Sequence, residues 1–177
     1  NWQGSRPNFL YRNNGNTNHW LKVKCEGTAS NRAGIGAKVR VKATIRRKEL
    51  WQLREISGGS GFGQTTPLGH FGLGDAAVAE TVLIEWPSGA VSEFHQVKAD
   101  QLLIGVEPPK LEDVRFADGA FAANVVGLVG SKYWVEGSSN LTEWKPLLAV
   151  TNSSRRTAVN IPGAPVFPQQ FFRLRVP

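Results

Sequence analysis

Hydrophobic and polar residues alternate with a period of two along most of the chain, and helical periodicity does not recur. In residues 39–46, aliphatic side chains alternate with basic residues and Thr44. A short polar stretch at residues 47–49 follows, and an alternating segment returns over residues 50–56. This pattern predicts a β-hairpin with one apolar face and one charged face.

The same alternation predicts four more strands in the first part of the chain, over residues 20–26, 81–86, 90–97 and 102–107. Only residues 74–80 have the composition of a short helix or turn. Two glycine-rich strings, at residues 58–63 and 69–74, invite comparison with phosphate-binding loops. They lack the helix that must open directly after such a loop. We therefore expect them to form bulges and turns where strands change direction.

Pro108 and Pro109 interrupt this pattern and predict a short, stiff linker. Beyond them the alternation predicts six short strands, over residues 111–116, 120–129, 132–136, 144–150, 156–161 and 170–176. Close spacing of short strands is typical of a small β-sandwich. The predicted fold is therefore all-β, with one β domain over residues 18–107 and a sandwich-like domain over residues 108–177.

Composition agrees with a folded chain, because 41% of the 177 residues are hydrophobic and 20% are charged. The chain has no Met and opens at Asn1, which predicts a piece of a larger protein. Its longest apolar run, residues 119–130, is shorter than the roughly 20 residues of a membrane-spanning helix. We therefore expect no membrane insertion. Cys25 alternates in phase with Leu21 and Val23, which predicts a buried structural thiol.

Five ordered motifs resemble a known family, and they are Asn18-His19-Trp20-Leu21, residues 27–37, residues 58–62, His70-Phe71-Gly72-Leu73-Gly74 and Trp86-Pro87-Ser88-Gly89. Together they resemble the ASPIC/UnbV domain, found at the C-terminal end of secreted proteins built from FG-GAP-type propeller repeats. Residues 8–15 resemble the last strand of such a propeller, so residues 1–17 are interpreted as its trailing strand. Residues 108–177 resemble, more loosely, a C-terminal module of bacterial secreted proteins. The resemblance implies extracellular or cell-surface placement, contact with a partner or matrix, and no established chemistry.

Catalytic chemistry finds little support in the sequence. Of the three histidines, only His70 lies between glycine turns and near Asp75 and Ser60, and Ser60 lacks the Gly-x-Ser-x-Gly elbow. Five acids of the first part are candidates for paired glycosidase-type carboxylates but are expected to be solvated, and they are Glu80, Glu85, Glu93, Asp100 and Glu107. No Asp-x-Asp-x-Asp loop is present. We therefore expect no enzyme, no metal and no cofactor; a hydrolase centred on His70 is the alternative.

The net charge of +7 and the isoelectric point near 9.9 favour acidic partners. The densest basic cluster lies on the predicted hairpin and consists of Arg40, Lys42, Arg46, Arg47, Lys48 and Arg54. We expect Arg40, Lys42 and Arg54 to project from one face, with the other three at the tip. Such a face could hold a sulfated or uronic-acid polysaccharide, or an acidic protein. The alternative is that these cations only solvate the hairpin and discourage edge pairing.

Nucleic acid is not an expected partner, because the aromatic residues are not interleaved with the basic cluster. The preferred function is a non-enzymatic extracellular accessory or adhesion module, which caps the upstream propeller of the same polypeptide and contacts glycan or protein. Self-assembly is a second hypothesis, in which residues 8–13 add a strand to a neighbouring copy and form a homo-oligomer.

Overall fold

A computed structural model describes residues 9–12, 14–59, 66–117, 119–163 and 170–177. These residues form β-strands and connecting turns, with no helix among them. The strands in chain order are β1 (His19–Glu26), β2 (Lys38–Ile45), β3 (Lys48–Glu55), β4 (Leu68–Gly74), β5 (Val78–Glu85), β6 (Val91–Lys98), β7 (Gln101–Val106), β8 (Lys110–Ala117), β9 (Ala120–Val126), β10 (Lys132–Ser138), β11 (Lys145–Thr151), β12 (Arg156–Pro162) and β13 (Phe171–Arg175). The all-β prediction is confirmed.

Strands β1 to β7 form two sheets that share one hydrophobic core. One sheet has the order β3-β2-β5-β6 and the other has the order β4-β1-β7. Every pair is antiparallel except β1 and β7, which run parallel. Alternate residues of both sheets meet in the core, where Leu21, Val39, Phe71 and Ile84 are completely buried. Fully burying an aliphatic side chain stabilises a fold by about 1.5–3 kcal/mol, so this core accounts for much of the fold's stability.

Strand β4 corrects the interpretation of the second glycine-rich string. Residues 69–74 were expected to form turns, whereas they lie in a strand that pairs with β1. Phe71 and Leu73 point into the core, and His70 and Gly72 lie on the exposed face. The glycines hide this alternation, because a residue without a side chain is neither apolar nor polar in the pattern. Residues 75–77 form a turn, and in the first glycine string residues 60–63 lie outside the described part of the chain.

Strands β8 to β13 form two three-stranded sheets, ordered β12-β9-β8 and β11-β10-β13. Both sheets contribute to a second core, in which Phe121 of β9 faces Tyr133 and Val135 of β10. Phe121 also stacks on Phe172 of β13, with ring centres 4.0 Å apart. Two sheets around one core are the sandwich arrangement that the six predicted strands indicated. The domain boundaries at residues 17/18 and 107/108 stay predictions.

The prediction that Cys25 is buried is confirmed, and Trp86 is buried as well. Cys25 has 1% of its surface exposed, and burial raises the pKa of its thiol to about 11. The thiol is therefore protonated and packs as a small apolar side chain. Trp86 has 3% of its surface exposed, and its indole N–H donates to the hydroxyl of Ser92 at 2.9 Å.

An alternating row of aromatic and charged side chains joins β10 to β13. The carboxylate of Glu136 accepts hydrogen bonds from Arg173 Nε at 2.9 Å and from Arg175 Nε at 2.6 Å. The Arg173 guanidinium lies 4.1 Å from the Trp144 ring centre, and that of Arg175 lies 5.9 Å from the Trp134 ring centre. The hydrogen bonds from Arg175 and Arg173 hold the pKa of Glu136 below its usual value, against the effect of burial. The row therefore stabilises the β10–β13 pairing while Glu136 is charged.

Replacing Glu136 by Gln should lower the thermal unfolding midpoint at neutral pH. The folded pKa lies below the ordinary value of 4.5, so the charged carboxylate stabilises the fold above that pH and stops doing so as pH falls through the folded pKa. The difference in midpoint between wild type and Glu136→Gln should therefore shrink as the solution is acidified. Thermal melts of both proteins between neutral pH and a pH below 4.5 would measure this difference. Glu143→Gln is the exposed-acid control. An equal difference at neutral and acidic pH would contradict the role of the charge.

Candidate functional site

The β2–β3 hairpin places three cations at its tip, as predicted. Ile45 pairs with Lys48, so the turn consists of Arg46 and Arg47 alone. Both turn residues have positive φ, 49° and 64°, as a two-residue type I′ turn requires. The backbone N–H of Arg46 donates to Asp75 Oδ1 at 2.7 Å, which fixes the tip against the β4–β5 turn. Arg46, Arg47 and Lys48 form no ion pair with any carboxylate among the described residues.

Two other cations of the predicted cluster are held by acids on neighbouring strands. Arg40 Nε lies 3.1 Å from Glu85 Oε1. Lys42 Nζ lies 2.8 Å from Glu49 Oε2 and 3.7 Å from Glu80 Oε2. The hydrogen bond with Glu49 raises the pKa of Lys42. Neighbouring carboxylates therefore offset the charge of both residues, and a ligand would have to compete with them.

The expectation that Arg54 shares a face with Arg40 and Lys42 is wrong. Arg40 pairs with Leu53 and Lys42 pairs with Trp51, whereas Arg54 pairs with the buried Val39. Residues paired across two strands point to the same face of the sheet, so Arg54 lies on the side of the core. Its guanidinium is 5.6 Å from the centre of the Phe71 ring. The sequence had suggested a longer turn, and a change of one residue in register moves every side chain of a strand to the opposite face.

A second group of polar and aromatic residues lies where β1 begins. The carboxylate of Asp100 accepts from His19 Nδ1 at 2.6 Å and from the Trp20 backbone N–H at 3.2 Å. In return, the Asp100 N–H donates to the Trp20 carbonyl at 2.6 Å. The hydrogen bond with His19 lowers the pKa of Asp100. Asp100, expected to be a solvated acid, therefore fixes the first residues of β1.

Next to the bonds that Asp100 forms with the start of β1, the exposed face of the β4-β1-β7 sheet carries Trp20, Lys22 and His70. Trp20 is half-buried, and the edge of His70 meets it with ring centres 6.2 Å apart. Lys22 pairs across the strands with His70. Asp75, the acid that lies near His70 in the sequence, accepts a hydrogen bond from the Arg46 N–H. Ser60 lies outside the described residues, so the hydrolase hypothesis is untested for that residue.

The hairpin tip and the start of β1 lie at the same end of the molecule. His19 pairs with Gly74, the last residue of β4. Gly74 has φ +56°, and a Cβ at this position would lie 2.7 Å from Ile45 Cγ2. The end of β2 therefore packs directly on the end of β4, and only a glycine allows the approach. This contact brings the tip cations next to the strand end that carries His19.

Glu107 is the acid whose role the sequence concealed. It was expected to be solvated, but it has 1% of its surface exposed. Its carboxylate accepts from the backbone N–H groups of Thr28, Ala29 and Ser30 at 2.7, 2.9 and 2.7 Å. The hydroxyls of Ser30 and Ser88 also donate to it. Burial alone would raise the pKa of Glu107, but the hydrogen bonds from Ser88, Ser30 and Thr28 outweigh it and lower the pKa.

Arg155 binds the other side of the same loop. Its Nε donates to the Thr28 carbonyl at 2.9 Å, and its Nη2 donates to the carbonyls of Thr28 and Ser30. Arg155 precedes β12, so this contact joins the second core to the loop that Glu107 holds. The arrangement is structural, because the Glu107 carboxylate and the Nε and Nη2 atoms of Arg155 hold the two sides of the loop.

Within the described ranges, no helix is long and apolar enough to span a membrane. The same ranges contain no group of three His, Cys, Asp or Glu side chains placed to hold a metal ion. Residues 27–111 match the family model described as ASPIC and UnbV. Domains of this family are non-catalytic accessory domains of larger proteins, and they occur in secreted or extracellular proteins. No curated protein matches the chain.

Replacing Glu107 by Gln should lower the free energy of unfolding by about 2–3 kcal/mol. The amide keeps one acceptor oxygen, and its NH₂ group then faces N–H and O–H donors that lose their partner inside the protein. Denaturant unfolding monitored by tryptophan fluorescence would measure the change. Glu55→Gln, at an exposed position of β3, is the matched control and should change stability by less than about 0.5 kcal/mol. Equal effects of the two substitutions would contradict the buried role of Glu107.

Proposed function

The chain contains an ASPIC/UnbV domain over residues 27–111, and on this premise we propose that it is a non-enzymatic extracellular accessory module that binds an acidic polysaccharide. The family supports the accessory role and the extracellular setting. The positive charge of the hairpin tip supports an acidic ligand. Arg46, Arg47 and Lys48 are consecutive and exposed, and their side chains form no ion pair with a described carboxylate; this observation carries the proposal.

Geometry favours a polymer with repeated negative charges over a small anion. The three tip residues are consecutive, and they are exposed at the end of the hairpin rather than enclosed in a pocket. An exposed turn cannot surround one small ion, but it can contact several charges along an extended chain. Each exposed ion pair contributes about 0.2–1 kcal/mol, so binding of this kind should be weak at each contact and sensitive to salt.

A variant of the turn itself tests the tip. Arg46→Asn, Arg47→Gly and Lys48→Thr together remove three charges, and Asn-Gly is the residue pair that a type I′ turn prefers. The fold should therefore be retained, while affinity for heparin or polygalacturonate should fall roughly tenfold. Affinity of the 177-residue chain for each polymer, measured at low and moderate salt, is the readout.

The matched control removes the same charge from another part of the chain. Arg115, Lys132 and Lys145 are exposed, and their joint replacement by Gln leaves the same net charge as the tip variant. This control should bind the polymers within about twofold of wild type. Equal losses in the two variants would mean that binding follows net charge, and the tip would then have no special role.

A second candidate function, self-assembly, is supported by the segment that precedes β1. Phe9, Leu10 and Tyr11 have 75%, 98% and 88% of their surface exposed. Three consecutive large apolar side chains in contact with water favour burial against another surface. Asn8 and Asn13, the ends of the predicted strand-adding segment, lie outside the described residues.

Removing residues 1–15 should abolish any concentration-dependent oligomer of the 177-residue chain, because the exposed apolar side chains are removed with them. Sedimentation velocity over a wide concentration range would measure the oligomeric state. Leu10→Ser with Tyr11→Ser should have the same effect without shortening the chain. A wild-type chain that stays monomeric at the highest concentration would contradict self-assembly.

A further inference from the structure

A groove beside the first residues of β1 has the size and lining of a ligand site. It is open to solvent and has a volume of about 640 Å³ between the segment before β1 and the exposed face of β4. Ligand pockets typically enclose about 300–1,000 Å³. Its polar and aromatic lining consists of Asn16, Asn18, His19, Trp20, Lys22 and His70.

Trp20 provides the groove with an aromatic surface that has free space beside it. The residue across the strands from Trp20 is Gly72, and a Cβ at this position would meet nothing within 4 Å. The His70 ring lies nearly perpendicular to the indole, at 86°, with ring centres 6.2 Å apart. An indole beside an empty floor accepts a flat ligand with weakly polar C–H groups, such as one face of a pyranose ring.

The ionisable groups that line the groove are a lysine and two histidines. Lys22 Nζ lies 5.1 Å from the Trp20 ring centre and forms no ion pair with a described carboxylate. Asp100 is the nearby acid, and both of its oxygens are bound by His19 and the Trp20 N–H. A carboxylate on the ligand would therefore meet a cation and no competing acid of the lining.

The segment before β1 adds side-chain amides to the same groove. Asn16 Oδ1 accepts the backbone N–H of Asn18 at 2.9 Å, which sets the turn that leads into β1. Both asparagine side chains are exposed. Amide groups donate and accept, so they match ring hydroxyls, which do the same.

We infer that this groove binds a single uronic acid unit of an acidic polysaccharide, with the sugar ring against Trp20 and its carboxylate beside Lys22. The inference rests on the proposed function and deepens it. Because the hairpin tip and the start of β1 lie at the same end of the molecule, one polysaccharide chain can contact the tip cations and place one of its units in the groove. The tip then supplies attraction to any polyanion, and the groove supplies selection for a sugar ring.

Titration with a short ligand isolates the groove. The 177-residue chain is titrated with trigalacturonate, with a neutral trisaccharide and with triglutamate, and tryptophan fluorescence and calorimetry report binding. Trigalacturonate should bind saturably, whereas the neutral sugar and the acidic peptide should bind at least about tenfold more weakly. Equal binding of either comparison ligand would overturn the inference, because sugar ring and carboxylate would then not be recognised together.

Two substitutions and one control locate the site. Lys22→Gln should weaken trigalacturonate binding roughly tenfold, since a charge-assisted hydrogen bond is lost. Trp20→Leu should weaken it further, provided that its circular dichroism matches wild type. Lys24→Gln is the matched control, because Lys24 lies on the same face of β1 but is held by Glu26 at 2.7 Å. Unchanged affinity in Lys22→Gln would overturn the inference even if Trp20→Leu failed to fold.

The experiments distinguish a failure of the inference about the groove from a failure of the proposed role of the tip. If polymers bind through the tip and trigalacturonate does not bind, the inference about the groove is wrong and the proposed function stands. If Lys22-dependent trigalacturonate binding coexists with full polymer binding in the tip variant, the groove stands and the tip has no role.

Discussion

The carboxylate of Glu107 and the guanidinium of Arg155 hold opposite sides of one loop, residues 28–30. Through Arg155, which precedes β12, this loop is joined to the second core. The N–H groups of residues 28–30 donate to Glu107, while the carbonyls of Thr28 and Ser30 accept from Arg155. Peptide dipoles aligned between a negative and a positive group strengthen both sets of bonds. The charge of Glu107 is buried, and a buried charge is costly unless its bonds are satisfied, so Glu107 cannot be replaced without disturbing the loop.

Asp100 and Glu107 together explain why both ends of β1 are fixed in position. Strand β7 lies between two anchored acids, with Asp100 just before it and Glu107 just after it. Asp100 binds His19 and Trp20 at the beginning of β1, and Glu107 binds the loop that follows the end of β1. Because β1 runs parallel to β7, the two acids fix β1 at both ends. Trp20 and Lys22 are therefore presented on a rigid strand, and a rigid site loses little conformational entropy when it binds.

Local patterns predicted the features that depend on neighbouring residues, and they missed those that depend on distant ones. Alternation identified the strands of the second core and the burial of Cys25, since each residue's face follows from its immediate neighbours. The face of Arg54 needed the turn length to within one residue, which composition does not give. The burial of Glu107 could not be predicted for another reason, because the backbone N–H groups that it binds lie 77–79 residues away along the chain. No periodicity connects an acid after β7 with amides after β1.

The distribution of charge decides where an acidic ligand can bind, and the total of +7 does not. Arg40, Lys42 and Lys24 each have a carboxylate within 3.1 Å, so a ligand gains little from them. At physiological salt an exposed charge is screened beyond roughly 8 Å, so only cations close to the ligand attract it strongly. The tip cations and Lys22 have no such acid among the described residues, and they lie at the same end as an accessible indole. The proposed ligand would therefore meet attraction and shape selection at the same end, which is what binding one class of acidic polymer requires.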